Sequence, residues 1–543
     1  MHGGYYSTPA SLPAKRAQSE TGLGKLLWQG RWSIIGPMRT YRLFRRLRPL
    51  VQAGALLLFL YLLLVTRQDA SSFLPVQLFF RLDPLAGMAS MIAARAWIGP
   101  LALSLLILAV TLVLGRVWCG WLCPLGTVLD LFPAGKKGKR AGLSPATHWR
   151  QVKHFVLLVI LSGALLGGLG LLFLDPITLL TRTLAAGLLP ALNIGIGALE
   201  KVLYSVSFLQ APVQWFETHL RAPWLPANQP FYWPNLLLIA AVIGVIALNR
   251  IAGRFWCRYL CPLGGLLGLV SKVAIVRRTV GTACTGCQRC ARSCPIGTID
   301  PARGFASDPA ECTVCLDCVV TCPKDDVRFT VHTQPAAWQR YDPSRRQALA
   351  ALAVGAGGIA LLRLVPRSWQ VTDTLIRPPG AQQDEFWARC IRCGECMKVC
   401  PTSGLQPALW QAGPEGLWTP VLVPRTGYCD YSCHSCGQVC PAGAIPPLTL
   451  EEKREAVIGV AAVNRDRCLP WAQATPCIIC EEMCPVPEKA VELEEAEVTD
   501  AAGQPLVVQR PHVVAERCIG CGICEFKCPV DGAAAIRVTR PTV

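Results

Sequence analysis

Twenty-four of the 28 cysteines fall into six groups of four, and each fourth cysteine precedes a proline. Cys284, Cys287, Cys290 and Cys294 read C-x2-C-x2-C-x3-C-P, and Cys312, Cys315, Cys318 and Cys322 repeat the pattern. Cys390, Cys393, Cys396 and Cys400 form a third copy, and Cys518, Cys521, Cys524 and Cys528 a fourth. In Cys429, Cys433, Cys436 and Cys440 the first gap is wider; in Cys468, Cys477, Cys480 and Cys484 it opens to a loop. Thiolates are soft ligands suited to iron–sulfur clusters. Three in a tight loop can hold three corners of a [4Fe–4S] cube, and the fourth ligates the other cluster of a pair. Small residues in the loops, such as Gly286, Gly394, Gly437, Gly520 and Gly522, let backbone N–H groups reach the sulfurs. Disulfide frameworks belong to small secreted domains without such repeats, and zinc sites pair two CxxC elements or mix in histidine.

The swap rule assigns one cluster to Cys284, Cys287, Cys290 and Cys322, and its neighbour to Cys312, Cys315, Cys318 and Cys294. For the last four groups two pairings satisfy it equally. Either the 390s join the 518s and the 429s the 468s, or each pairs with the group nearest in sequence. No CxxCH occurs and histidines number only 7, so haem is not expected.

Four cysteines remain: Cys119, Cys123, Cys257 and Cys261. They lie in an internal repeat, GRVWCGWLCPLGTVLDL (115–131) and GRFWCRYLCPLGGLLGL (253–269). A spacing of i, i+4 puts both thiols of a pair on one helix face, and the repeat symmetry would gather all four. A dithiol relay, an additional metal or cluster, or inert buried cysteines remain open. Upstream, FFRLDPLAGM (79–88) matches LLFLDPITLL (171–180). Asp83 and Asp175 read as helix N-caps before Pro at the first helical position; as buried carboxylates they could also take protons in a quinol site.

The elements that must position these groups are apolar. Segments 48–66, 96–115, 153–173 and 232–250 each suit a membrane span, and a weaker one at 184–206 contains Asn193 and Glu200. The net charge of +18 sits beside these runs, as membrane topology requires, so nucleic acid is not an expected partner. The positive-inside rule puts the N-terminus, the 116–153 loop and the chain just after 253 in the cytoplasm. The first 30 or so residues lack the apolar core of a secretory signal.

GRVWCGWLCPLG, GRFWCRYLCPLG and the two-cluster module after them resemble the NapH (MauN) family of membrane subunits. The arginine pair of SRRQALAAL (344–352), RPPGA (377–381), CIRCGECMKVCP and three further quartets resemble the NapG (MauM) ferredoxin family. The chain therefore looks like a fusion of the two, over about residues 40–540. The resemblance implies a quinol dehydrogenase that feeds electrons to a periplasmic reductase such as nitrate reductase. SRRQALAAL then reads as a twin-arginine export signal, which moves domains already folded around their clusters. No A-x-A site follows it, so 348–365 is expected to remain as a further span.

The expected fold is an α-helical integral membrane domain plus α+β ferredoxin-like domains. A cytoplasmic tail (1–45) precedes a transmembrane domain with two repeats (46–278) and a two-cluster module (279–332). A twin-arginine-like anchor (343–366) and a four-cluster domain (367–543) follow. Six [4Fe–4S] clusters would pass electrons from the quinone pool to a periplasmic redox protein or reductase. The location is the bacterial inner membrane, with the two-cluster module cytoplasmic and the four-cluster domain periplasmic. Two other functions fit the motifs: supplying reductant to mature a periplasmic metalloenzyme, or serving a molybdopterin oxidoreductase as its electron-transfer subunit.

Overall fold

The computed structural model describes residues 38–67, 73–132, 147–222, 224–225, 232, 235–332, 345–364, 375–381, 383–409, 411–499 and 504–540. Most of the N-terminal tail, the lysine-rich stretch 136–140 and both edges of the signal-like segment lie outside them.

The first helix, α1 (Met38–Val65), runs through an arginine-rich start into an unbroken leucine-rich stretch. Pro49 lies inside it and removes one backbone donor without ending it. α2 (Pro84–Ala94), α3 (Pro124–Leu131), α4 (Val152–Leu165), α5 (Pro176–Tyr204) and α6 (Pro262–Ser271) build the rest of the helical core. Among the described residues two helices are long and apolar enough to cross a bilayer, Arg39–Val65 and Pro176–Tyr204. The segments expected at 96–115, 153–173 and 232–250 instead form shorter helices, broken by tighter turns such as Gly99–Leu103 and Leu248–Arg250. The segment read as weak, 184–206, belongs to the longer α5. Its polar residues are satisfied by a neighbour: Arg221 donates to Asn193 Oδ1 at 2.9 Å and pairs with Glu200.

The two-cluster region is bracketed by an antiparallel pair, β1 (Val276–Val280) and β2 (Val327–Val331), in register from Val276↔Val331 to Val280↔Val327. Val276, Val327, Phe329 and Val319 pack there with Cys290, Cys318 and Tyr41 of α1. This unit sits at the start of α1. Arg45 pairs with Asp317 at 2.8 Å, and Arg48 and Gln52 donate to Gly120 O.

The chain leaves β2 for α7 (Arg345–Leu364), which packs along α4 with Gly355 against Ser162 and the carbonyl of Val159. The C-terminal region carries three antiparallel pairs: β3 (Leu405–Pro407) with β4 (Pro420–Leu422), β5 (Val460–Val463) with β8 (Ile536–Thr539), and a hairpin of β6 (Val491–Thr499) and β7 (Pro505–Val513). It meets the far end of α1, where Lys398 Nζ donates to Thr66 O at 2.6 Å. Arg392 donates to Leu169 O at 2.6 Å, Gln77 to Gln438 O at 2.6 Å and Tyr232 to Met397 O at 3.0 Å. The two cysteine-rich units thus contact opposite ends of one 28-residue helix.

Candidate metal centres

In the four regular quartets the residue after the second cysteine turns left-handed and starts a short helical turn carrying the third. Gly394 (φ 86°) and Gly522 (φ 83°) do this without a side-chain clash, whereas Gln288 (φ 58°) and Leu316 (φ 65°) do it against the usual preference. The two variant quartets enter through His434 (φ −130°) and Ile478 (φ −123°), so their longer first gaps remove the need for a left-handed residue.

In the inner unit one cavity is lined by Cys284, Cys287, Cys290 and Cys322, the set expected from the swap. Cys312, Cys315 and Cys318 each have Cys294 as an electrostatic neighbour, which completes the reciprocal set. Arg278 Nε donates to Cys318 Sγ at 3.3 Å.

The C-terminal unit resolves the open pairing in favour of neighbours. A cavity gathers Cys429, Cys433 and Cys436 with Cys400, and Cys393 and Cys396 face Cys440. Cys521 faces Cys484, and Cys468, beside Cys477 and Cys480, faces Cys528. Backbone N–H groups of Ile445, Ala461, Ala490 and Ala535 point at Cys440, Cys518, Cys484 and Cys528 at 3.4–3.5 Å. The four centres follow one another outward. Ile391 and Cys393 are packed into the helical core, the 429s lie beside the 390s, Cys429 N–H donates to Cys521 O at 2.8 Å, and the 468s come last. Among the described residues no three Cys, His, Asp or Glu side chains reach the spacing a single metal ion needs. For sulfurs about 2.3 Å from one ion that spacing is about 3.8 Å, whereas a cube holds its thiolates at separate corners.

Cys119, Cys123, Cys257 and Cys261 are all buried and electrostatic neighbours of one another. They do not share a continuous helix face as i, i+4 spacing suggested. Pro124 and Pro262 push the preceding cysteine out of helical geometry (Cys123 ψ 118°, Cys261 ψ 112°), so each becomes the N-cap of the next helix. The four thiols converge through the repeat instead.

Asp83 and Asp175 cap α2 and α5 as expected: Asp83 Oδ1 accepts from Leu85 and Ala86, Asp175 Oδ2 from Ile177 and Thr178. Their other oxygens, Asp83 Oδ2 and Asp175 Oδ1, are buried without a donor, and the two carboxyls are close electrostatic neighbours. Two facing acceptors require a shared proton. Sequence reasoning read each as a helix cap or a quinol-site carboxylate, and missed that the two come together. Arg182, which sequence reasoning did not single out, lies near Asp175 and Cys393, with its guanidinium 5.2 Å from the Trp418 ring centre.

Comparison with known proteins puts iron–sulfur chemistry on these thiols. Models described as "4Fe-4S binding domain" match residues 96–140, 233–282 and 511–532, and a "4Fe-4S dicluster domain" matches 304–401. The chain is 38% identical over 206 residues to the methylamine utilization ferredoxin-type protein MauM of Methylorubrum extorquens, covering 89% of that protein and 36% of this chain. The chain belongs to the family of MauM-type ferredoxin proteins. To the ferredoxin-type protein NapG of Escherichia coli it is 32% identical over 198 residues (83% of NapG, 35% of this chain). To the protein NirI of Paracoccus denitrificans it is 30% identical over 216 residues (26% of NirI, 38% of this chain). No solved structure matches. The dicluster match follows sequence order: it takes in the 312–322 and 390–400 quartets, which sit at opposite ends of α1 and pair with other partners.

Proposed function

We propose that this protein is a membrane-bound relay that takes electrons from quinol and delivers them to a periplasmic redox partner. It joins a NapH-like membrane unit to a NapG-like ferredoxin unit in one chain. The observation that carries this is the attachment of the two cysteine-rich units to opposite ends of α1. From Arg45 to Thr66 that helix runs roughly 32 Å at 1.5 Å per residue, against about 30 Å for a bilayer's hydrocarbon core. Exposed Leu50, Leu57, Leu199, Leu236 and Leu237 suit lipid, and Arg39, Arg42, Arg45, Arg46 and Arg48 mark the cytoplasmic end. α7 is then the return crossing, which leaves residues 367–543 in the periplasm.

The six quartets would hold six [4Fe–4S] clusters, which supply one-electron chemistry when bound. The chain's own residues set the rest. Quinol oxidation releases two protons and two electrons; the electrons would pass singly to the clusters, one proton would enter the Asp83–Asp175 pair when that pair is ionised, and the second would pass to water. Arg182 stands between Asp175 and Cys393, beside the first centre of the outward series. The likeness to NapG, with the family resemblance of the sequence motifs, supports a reductase-type acceptor.

The test has two arms. A reporter active only in the periplasm, fused after Val543, should be active, and in proteoliposomes a quinol analogue should bleach the cluster absorbance. A cytoplasmic C-terminus defeats the crossing. Clusters that respond to dithionite but not to quinol defeat the donor assignment.

A further inference from the structure

We propose that Cys119, Cys123, Cys257 and Cys261 together hold one further [4Fe–4S] cluster inside the helical domain, beside the inner two-cluster unit. The stretches matched by the 4Fe-4S binding model, 96–140 and 233–282, contain these four cysteines and no others. Each repeat contributes one thiol from a helical turn and one from a helix N-cap. Gly264 N–H donates to Cys261 Sγ at 3.2 Å, whereas Cys123, at the equivalent place in the other repeat, begins its helix without such a bond.

Charge points the same way. Arg116 and Arg254 occupy equivalent places in the repeat and are almost fully buried. Arg116 reaches Cys119 Sγ at 3.9 Å and faces Cys261; Arg254 faces Cys257 and Cys123 and donates to Cys119 O at 2.9 Å. Each guanidinium therefore looks on thiols of both repeats. Among the described residues the ion pairs around them set Arg48, Arg116, Arg150, Lys153 and Arg254 against Glu311 and Asp130. Buried cations ask for matching anions. Four neutral thiols supply none, whereas an oxidised cube with four thiolates carries a net charge of −2.

The position gives the site a use. Arg116 also donates to Ala310 O at 2.9 Å, next to the Cys312 loop, and Trp121 donates to Val314 O within that loop at 3.0 Å. A Cβ on Gly120 would stand 2.2 Å from Thr313 O, so this glycine lets the CxxxCP turn sit against the cluster loop. A centre here continues the inner pair into the membrane domain, toward the Asp83–Asp175 side.

The test is iron and acid-labile sulfide in full-length protein purified anaerobically, with EPR of the reduced state and Mössbauer spectra of ⁵⁷Fe-labelled protein. Wild type should hold about 28 iron atoms, four per cluster, rather than about 24. Cys123→Ser with Cys261→Ser should lose four iron and four sulfide relative to wild type while the other cluster signals persist. That difference tests this site whatever the wild-type total, so it stands apart from the six-cluster reading. Arg254→Lys should alter the EPR spectrum of the same centre without loss of iron. Unchanged iron in the double serine variant, or a disulfide within 119/123 or 257/261 after anaerobic alkylation, would overturn the proposal.

Discussion

Glu311 is the joint between the inner cluster unit and the helical domain, and replacing it by glutamine gives the sharpest energetic test. Its carboxylate is buried and accepts from Lys153 Nζ at 2.5 Å and Arg116 Nη1 at 3.4 Å, with Arg150 at 3.9 Å. Burial alone would raise its pKa, but Lys153, Arg116 and Arg150 outweigh it and hold the carboxyl down at about 2. Against an ordinary 4.5 that preference for the ionised form is worth roughly 3 kcal/mol, at 1.36 kcal/mol per pH unit. The sign is that of a depressed acid: the contribution is complete above pH 4.5 and lost as pH falls toward 2. Breaking a buried pair by removing one partner costs about 3–5 kcal/mol, because the other charges stay buried. Glu311→Gln should therefore weaken docking by about 3 kcal/mol. Amide exchange of Val276–Val280 and Val327–Val331, if governed by undocking, should speed up on the order of 10²-fold. Adding Lys153→Met removes the closest uncompensated cation and should recover a good part of the loss. Exchange within threefold of wild type, or a double variant no better than the single, would refute the claim that this pair holds the unit in place.

Three further outcomes follow from the geometry. Asp83→Asn with Asp175→Asn keeps both helix caps but removes the shared proton site, so quinol-driven cluster reduction should fall at least tenfold while dithionite reduction is unchanged. Cys400→Ser should disturb the EPR signal of the 429–436 centre and spare that of the 390–396 centre; the opposite pattern would exclude crossed ligation. Gly355→Leu should lower the melting temperature in detergent, since its Cβ alone would stand 1.6 Å from Ser162 Oγ, and overpacking costs about 1–3 kcal/mol; Ser162→Gly in the same chain should restore part of the loss.

Local patterns were legible in the sequence, and encounters between distant segments were not. Spacing alone foresaw that Cys322 joins Cys284, Cys287 and Cys290, because a tight loop leaves its fourth thiolate to the neighbour. It foresaw that Asp83 and Asp175 cap their helices, because Asp before Pro has one favoured use. The pairing of the last four quartets was undetermined: both arrangements satisfy the spacing, and the choice rests on which turns pack, Glu395–Val399 on Ser435–Gln438 and Ile479–Glu482 on Ile523–Lys527. Span lengths were misread for a similar reason. Hydropathy sees composition, and nothing local announces that Arg221 returns to satisfy Asn193 and Glu200. The i, i+4 reading of CxxxCP failed on the proline that the motif itself contains.

The segment from Arg345 to Leu364 joins both halves of the problem, because its glycines serve two demands at once. Export of a folded domain favours an apolar stretch of modest hydropathy, which Gly355, Gly357 and Gly358 provide. A helix in lipid cannot rely on water to drive it against its neighbours, so close contact at small residues must do that work. Gly355 supplies it, bringing the backbone of α7 onto Ser162 and Val159 of α4. At 1.5 Å per residue the 20 residues of α7 cover roughly 30 Å, close to a hydrocarbon core. β2 ends at Val331 in the unit at the start of α1, and after α7 the chain is next described at Leu375, in the unit at its other end. Some segment must make that journey, and α7, alongside α4, has the length and the packing face for it. On the proposed membrane reading, a signal retained as a strut would let one chain carry cysteine-rich units at both ends of the same helix.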